Sequence, residues 1–114
     1  MITKNEINTQ IALGTVETPQ QIARLVRQTT DISALEWAIK FRNTKVRIAA
    51  INNEALPIGL LLYACIFETS KIAREALEGV ISNRRNDIEC ALNVIKYYPQ
   101  LSMDLNNEFT SKHS

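Results

Sequence analysis

Histidine, glycine and proline are all scarce in this chain, and each scarcity removes a class of protein. The one histidine, His113, stands next to the last residue in a polar stretch, where a general base is not held with the sub-ångström precision that catalysis needs. The three glycines, Gly14, Gly59 and Gly79, stand apart from one another, so no glycine-rich loop cradles a phosphate. Three glycines and three prolines are too few for a many-turned β-sandwich and suit helices joined by short turns. Cys65 and Cys90 are not at metal-ligand spacing and have no histidine beside them. Both sit in apolar patterns and read as small hydrophobes of a core. Two cysteines without a secretory leader favour a reducing compartment.

Charge and long apolar runs are lacking too. The formal net charge is +1, so no strong overall field steers the chain toward nucleic acid or a membrane. The longest apolar run, from Leu56 to Phe67, is interrupted by Pro57 and Gly59 and falls short of the ~20 residues that span a bilayer. The stretch from Met1 to Asn8 alternates polar and apolar residues, unlike a secretory signal. Carboxylates are scattered; Glu75 and Glu78 share a helical spacing but read as solvated surface. With 46% hydrophobic and 22% charged residues the composition is that of a folded chain. The expectation is a cytoplasmic, soluble, non-enzymatic single domain over residues 1–109 with a frayed tail at 110–114, needing no cofactor and no metal.

What the chain does have is an internal repeat. Leu35, Ala38, Thr44, Lys45, Val46, Ala50 and Ile51 are echoed, 26 residues later, by Leu61, Ala64, Ser70, Lys71, Ile72, Ala76 and Leu77. A fixed period of this length marks stacked supersecondary units, commonly helical pairs.

The helices themselves are legible from their starts. Thr18-Pro19-Gln20-Gln21 carries a capping residue, a proline for the first turn and a glutamine that completes a capping box. Ile22, Leu25 and Val26 follow as its apolar stripe. Asp31 or Ser33 starts the next helix, with Ser33 and Glu36 as a second box and Ile32, Leu35, Ala38 and Ile39 inward. Asn43-Thr44 caps a further helix through Val46, Ala49 and Ala50, ending at Asn52-Asn53. Pro57 opens one through Leu60, Leu61, Ala64 and Cys65. Ser70 caps another, with Ile72, Ala73, Ala76 and Leu77 inward and Gly79 near or inside its end. Asn86 and Glu89 mark a box opening a helix with Ile88, Ala91, Leu92 and Ile95 inward, stopped before Pro99. Weaker helices are expected at Asn5 to Leu13 and Leu101 to Phe109. Helices of ~10 residues do not persist alone in water, so each must bury its stripe against neighbours.

The stretch from Thr44 to Asn53, followed by Leu56-Pro57 and Leu60-Leu61-Leu62-Tyr63-Ala64, resembles a unit of HEAT-like helical repeats. It is especially similar to the leucine-rich repeat variant type, in which a Val-Arg-x-Ala-Ala helix precedes Asn, a Pro-led turn and a Leu-rich helix. The likeness covers the chain from Thr18 to Leu92. In the second copy, Ile72-Ala73-Arg74 replaces Val46-Arg47-Ile48, so its arginine comes one position later. The resemblance implies short antiparallel helix pairs stacked as a small right-handed solenoid, and binding of proteins, or sometimes nucleic acids, along one row of helices. It implies no chemistry common to the family.

Basic residues are the candidates for such binding. Arg24, Arg27, Lys40, Arg42, Lys45 and Arg47 crowd one region against only Asp31 and Glu36, and Arg84-Arg85 adds a pair in a predicted turn. Arg24, Arg47 and Arg74 are expected at equivalent places in successive second helices, where a row of guanidinium forks suits carboxylates or phosphates. Trp37 and Tyr63 occupy the same place in the repeat, and Trp37 is the favoured surface anchor. The proposed partner-binding set is Arg24, Arg27, Trp37, Arg42, Lys45, Arg47, Arg74, Arg84 and Arg85. A protein partner with an acidic surface is the favoured reading. Nucleic acid is the alternative, and a small enzyme the second; a few stacked units also leave end faces for terminal helices or a second copy to cover.

Overall fold

Small polar side chains or a proline mark the starts of the first six helices in the computed structural model, which describes residues 2–97. The fold is all-α, with no strand among the described residues: α1 (Lys4–Leu13), α2 (Pro19–Gln28), α3 (Ile32–Ile39), α4 (Thr44–Ile51), α5 (Ile58–Phe67), α6 (Lys71–Asn83) and α7 (Arg85–Tyr97). The chain divides into two compact units, Met1–Val80 and Ile81–Ser114. The first holds α1 to α5 and most of α6.

The caps explain where the helices begin. Thr18 Oγ1 accepts from the Gln21 amide at 3.3 Å while Gln21 Oε1 accepts from the Thr18 amide at 3.1 Å, closing the expected box. Asn43 accepts from the Lys45 amide at 2.9 Å and starts α4, and Pro57 stands as N-cap of α5. Gly14 ends α1 in the left-handed region at φ 77°, a conformation open to a residue without Cβ. Asp31 is the N-cap of α3 but caps nothing with its side chain. Its carboxylate accepts instead from the Lys4 amide at 3.0 Å, and the Ser33–Glu36 box gives way to a Glu36–Lys40 ion pair at 3.1 Å.

The repeat has a structural register. Ile7, Leu35 and Leu61 are each the fourth residue after their caps Thr3, Asp31 and Pro57, and all three are fully buried. Each donates its amide to the cap carbonyl at 3.0 Å. Helix α1 packs on α3 and α3 on α5, while α4 packs on both α2 and α3. The small side chains Ala23, Ala49 and Ala50, all buried, let these axes approach closely.

Two connectors are fastened across the repeat by buried polar groups. Thr29 is 1% exposed; its hydroxyl donates to the Ile2 carbonyl and accepts from the Asp31 amide. Asn53 donates to the carbonyls of Val26 at 2.9 Å and Thr29 at 2.8 Å, and its Oδ1 accepts from the Ala55 amide at 2.8 Å. The C-terminal ends of α2 and α4 thus lie together. Among the described residues no buried side-chain nitrogen or oxygen lacks a partner, as interiors require.

Several residues expected inside are not. Ile32 is 58% and Ile72 is 66% exposed. The second copy is one residue out of step in α6: Ala73 and Leu77 are buried after the cap Ser70, as Val46 and Ala50 are after Asn43. Counting from the caps rather than by a uniform offset turns Ile72 outward. Gly79 lies inside α6.

In the second unit, α7 starts at Arg85 and Asn86 lies within it, so the expected Asn86–Glu89 box is replaced by an Arg85–Glu89 ion pair at 3.3 Å. Leu92 is 53% exposed and Cys90 is exposed, both against expectation. The predicted helix at Leu101 to Phe109, the tail and His113 lie outside the described residues.

Leu35→Ala is expected to cost about 3 kcal/mol of unfolding free energy, with Ile7→Ala and Leu61→Ala in the same range. Ile72→Ala, at the position a uniform offset equates with Val46, should stay within about 0.5 kcal/mol. Urea denaturation of the set distinguishes the cap-based register from the uniform one.

Candidate functional site

Helix α3 with the connector that follows it, and helix α5, carry matching aromatic pairs. Trp37 and Phe41 sit one turn apart with ring centroids 4.8 Å apart and planes tilted by 47°, and Tyr63 and Phe67 repeat the arrangement at 4.7 Å and 42°. All four are half-buried. Cations lie over the rings: Lys40 Nζ is 5.2 Å from the Tyr63 centroid and the Arg42 guanidinium 5.9 Å from that of Phe41, distances at which the ring quadrupole attracts a cation.

Around them run two depressions. One of about 500 Å³ is lined by Lys4, Glu36, Trp37, Lys40, Phe41 and Arg42 among others. The other, about 230 Å³, shares Lys40, Phe41 and Arg42 and continues to Tyr63, Phe67 and Glu68. Together they form one groove walled by aromatic rings. Of its charges, Lys40 is paired with Glu36, whereas among the described residues no carboxylate pairs with Lys4 or Arg42. The groove therefore carries surplus positive charge.

The connector that bears Phe41 and Arg42 is held by one side chain. Arg47 Nη1 donates to the carbonyls of Phe41 at 2.8 Å and Arg42 at 2.9 Å. Nη2 donates to Thr44 Oγ1 at 3.1 Å and Glu68 Oε1 at 3.1 Å, and Nε donates to Glu68 Oε2 at 2.9 Å. All five N–H donors of a guanidinium are thereby engaged. Glu68 Oε1 also accepts from the amides of Thr69 at 3.1 Å and Ser70 at 3.0 Å. The Glu68 side chain is 3% exposed and that of Arg47 16%. Burial alone raises the Glu68 pKa. The Arg47 hydrogen bonds, the Ser70 amide, the Arg47 charge and the Thr69 amide outweigh it and hold the carboxyl below its ordinary value.

The other basic candidates have different settings. Arg24, Arg27 and Lys45 are exposed on α2 and α4 with no ion pair among the described residues. The expected arginine row does not form: relative to the caps, Arg47 and Arg74 are equivalent, but Ile22 holds that position in α2, and Arg24 lies two residues beyond it. Arg47 is engaged internally, and Arg74 is exposed with Nη1 3.5 Å from the Glu68 carbonyl oxygen. Arg84 ends α6's connector and approaches Asp87 at 3.7 Å, while Arg85, expected in a turn, opens α7.

Phe41, Phe67 and Lys4 were not singled out by sequence, and Lys40 stood only as a member of the basic cluster. The 26-residue echo of Trp37 by Tyr63 extends to Phe41 and Phe67, and that second pair was the available signal. The buried carboxylate of Glu68 left no such trace.

Cys65 is half-buried, and burial pushes its thiol pKa up against the partly offsetting charge of Arg74. Both cysteines are free thiols. Among the described residues no group of His, Cys, Asp or Glu converges as metal ligands would, and no helix is long and apolar enough to cross a membrane. Comparison with protein-family models, with curated proteins and with solved structures finds no match to this chain.

Two outcomes follow. Glu68 stabilises the fold above the ordinary carboxylate pKa of ~4.3 and loses that contribution as pH falls through its lower folded-state value. Glu68→Gln, which leaves the Arg47 charge without its counter-ion, is expected to cost about 3 kcal/mol at neutral pH. The variant's denaturation midpoint should also fall less steeply in acid than that of the parent. Separately, a thiol reagent should label Cys90 in a fast phase that Cys90→Ala removes and Cys65→Ala leaves intact.

Proposed function

We propose that this chain is a non-enzymatic protein-binding module, an adaptor, regulatory subunit or inhibitor, whose docking surface is the aromatic and cationic groove on α3 and α5. The reading rests on one observation: four half-buried rings line a groove whose rim carries Lys4 and Arg42, with which no carboxylate pairs among the described residues. Half-buried aromatics bordered by arginine are the composition of binding hot spots, because they offer large apolar area at small entropic cost. The partner is a protein segment that places apolar side chains against Trp37 and Phe41 and carboxylates toward Lys4 and Arg42.

Nucleic acid suits the groove less well. Stacking of bases needs open ring faces, and here each ring leans on its neighbour while cations lie over Tyr63 and Phe41. The packing of α1, α3 and α5 in one row, with α2 beside α4, is what a stack of helical pairs of the HEAT-like kind produces. We read the chain as a short stack of that kind acting in the cytoplasm.

A photoreactive residue at Ser33, exposed on the groove's rim, should cross-link a partner in extracts of the native cell. Trp37→Ala combined with Arg42→Glu should lower affinity for that partner at least about tenfold, as loss of a hot spot does. Capture that persists at full strength in the double variant refutes the groove as the docking surface.

A further inference from the structure

A second surface lies on α2 and α4, and none of its residues lines the aromatic groove. Helix α2 (PQQIARLVRQ) and helix α4 (TKVRIAAI) contain no acidic residue at all. The cations on their exposed side, Arg24, Arg27 and Lys45, have no ion pair among the described residues. Surface helices ordinarily mix both signs of charge, so an acid-free pair concentrates positive potential on one face. Between the helices is a depression of about 220 Å³ lined by Gln20, Ala23, Arg27, Lys45 and Ile48. Its floor is the apolar Ala23 and the half-buried Ile48, and Arg27 and Lys45 stand at its edges.

We propose that this depression docks an acidic amphipathic helix of a partner protein, with one apolar side chain over Ala23 and Ile48 and carboxylates reaching Arg27 and Lys45. Arg24, three residues before Arg27 on the same exposed side of α2, extends the cationic rim. Helix-in-groove recognition of this kind uses an apolar anchor for affinity and flanking charge for orientation. The apolar floor decides between ligand classes. A phosphate backbone gains nothing from Ile48, and three cations on a chain of net charge +1 are few for a polyanion. The two chains' charges are complementary: an acid-free face meets a carboxylate-bearing helix.

The test is selection from a displayed library of helical peptides, randomised along one face, against the full chain alone, followed by affinity measurement on the Arg27→Glu/Lys45→Glu double variant. All three cations considered are exposed, so circular dichroism of the double variant should match the parent. Enriched peptides should place Asp or Glu on both sides of a Leu, Ile or Met. Their affinity should drop at least about tenfold on the double variant and on exchange of those acids for Asn or Gln, and fall with Ile48→Ala. Trp37→Ala should leave it unchanged, which separates this surface from the aromatic groove. Peptides with no acidic bias, peptides that bind the double variant equally, or tighter binding of single- or double-stranded DNA at the same residues would each overturn the proposal.

Discussion

The buried pair of Arg47 and Glu68 is the constraint on which the aromatic groove depends. Arg47 belongs to α4, but its guanidinium reaches both the connector that precedes α4 and the connector that follows α5. Phe41 and Arg42 stand on the first connector, and Phe67 immediately precedes Glu68 at the second. Fixing the two backbone carbonyls of the first connector fixes where the Phe41 ring and the Arg42 cation emerge. Anchoring Glu68 at the end of α5 does the same for the Tyr63–Phe67 pair.

A buried ion pair seldom stabilises a fold by much, because removing two charges from water offsets their attraction. What makes this one tolerable is saturation. Five guanidinium donors meet five acceptors, and the carboxylate collects two backbone amides besides the fork. Lysine has no planar fork and three donors, and it would leave acceptors of the connector unmet in a site where Glu68 is nearly inaccessible. The pair is therefore better understood as a positional device than as a source of stability.

Much of this was legible in the sequence where a local rule operates. Thr18, Asn43 and Ser70 start helices for reasons contained in their own side chains, and the structure bears them out; Pro57, expected in the first turn, stands one place earlier as the N-cap of α5. Leu35 and Leu61 keep their burial because both are counted from a cap. The uniform 26-residue offset fails at Ile72 because α5 is two residues longer than α3 while the connector after it is one shorter, which displaces α6 by one residue, and a one-residue slip on a helix turns a side chain by about 100°. The aromatic ridge left a partial trace, the echo of Trp37 and Phe41 by Tyr63 and Phe67. The fate of Glu68 left none: its contact with Arg47 joins residues far apart in the chain, and nothing local distinguishes a carboxylate that will be buried from one that will be solvated.

Lys45 and Arg47 show the same limit at its smallest scale. They lie two residues apart on one short helix and are indistinguishable as members of a basic cluster. Residues so spaced face different sides of a helix. Lys45 points to the depression shared with α2, exposed and without an ion pair among the described residues, while Arg47 points to the connectors and spends every donor there. The basic cluster thus resolves into an internal brace and two separate surface patches, one acid-free and one aromatic. Only the cations left over from bracing are available to a partner, so the positive surface is set by which acceptors the fold itself must satisfy first.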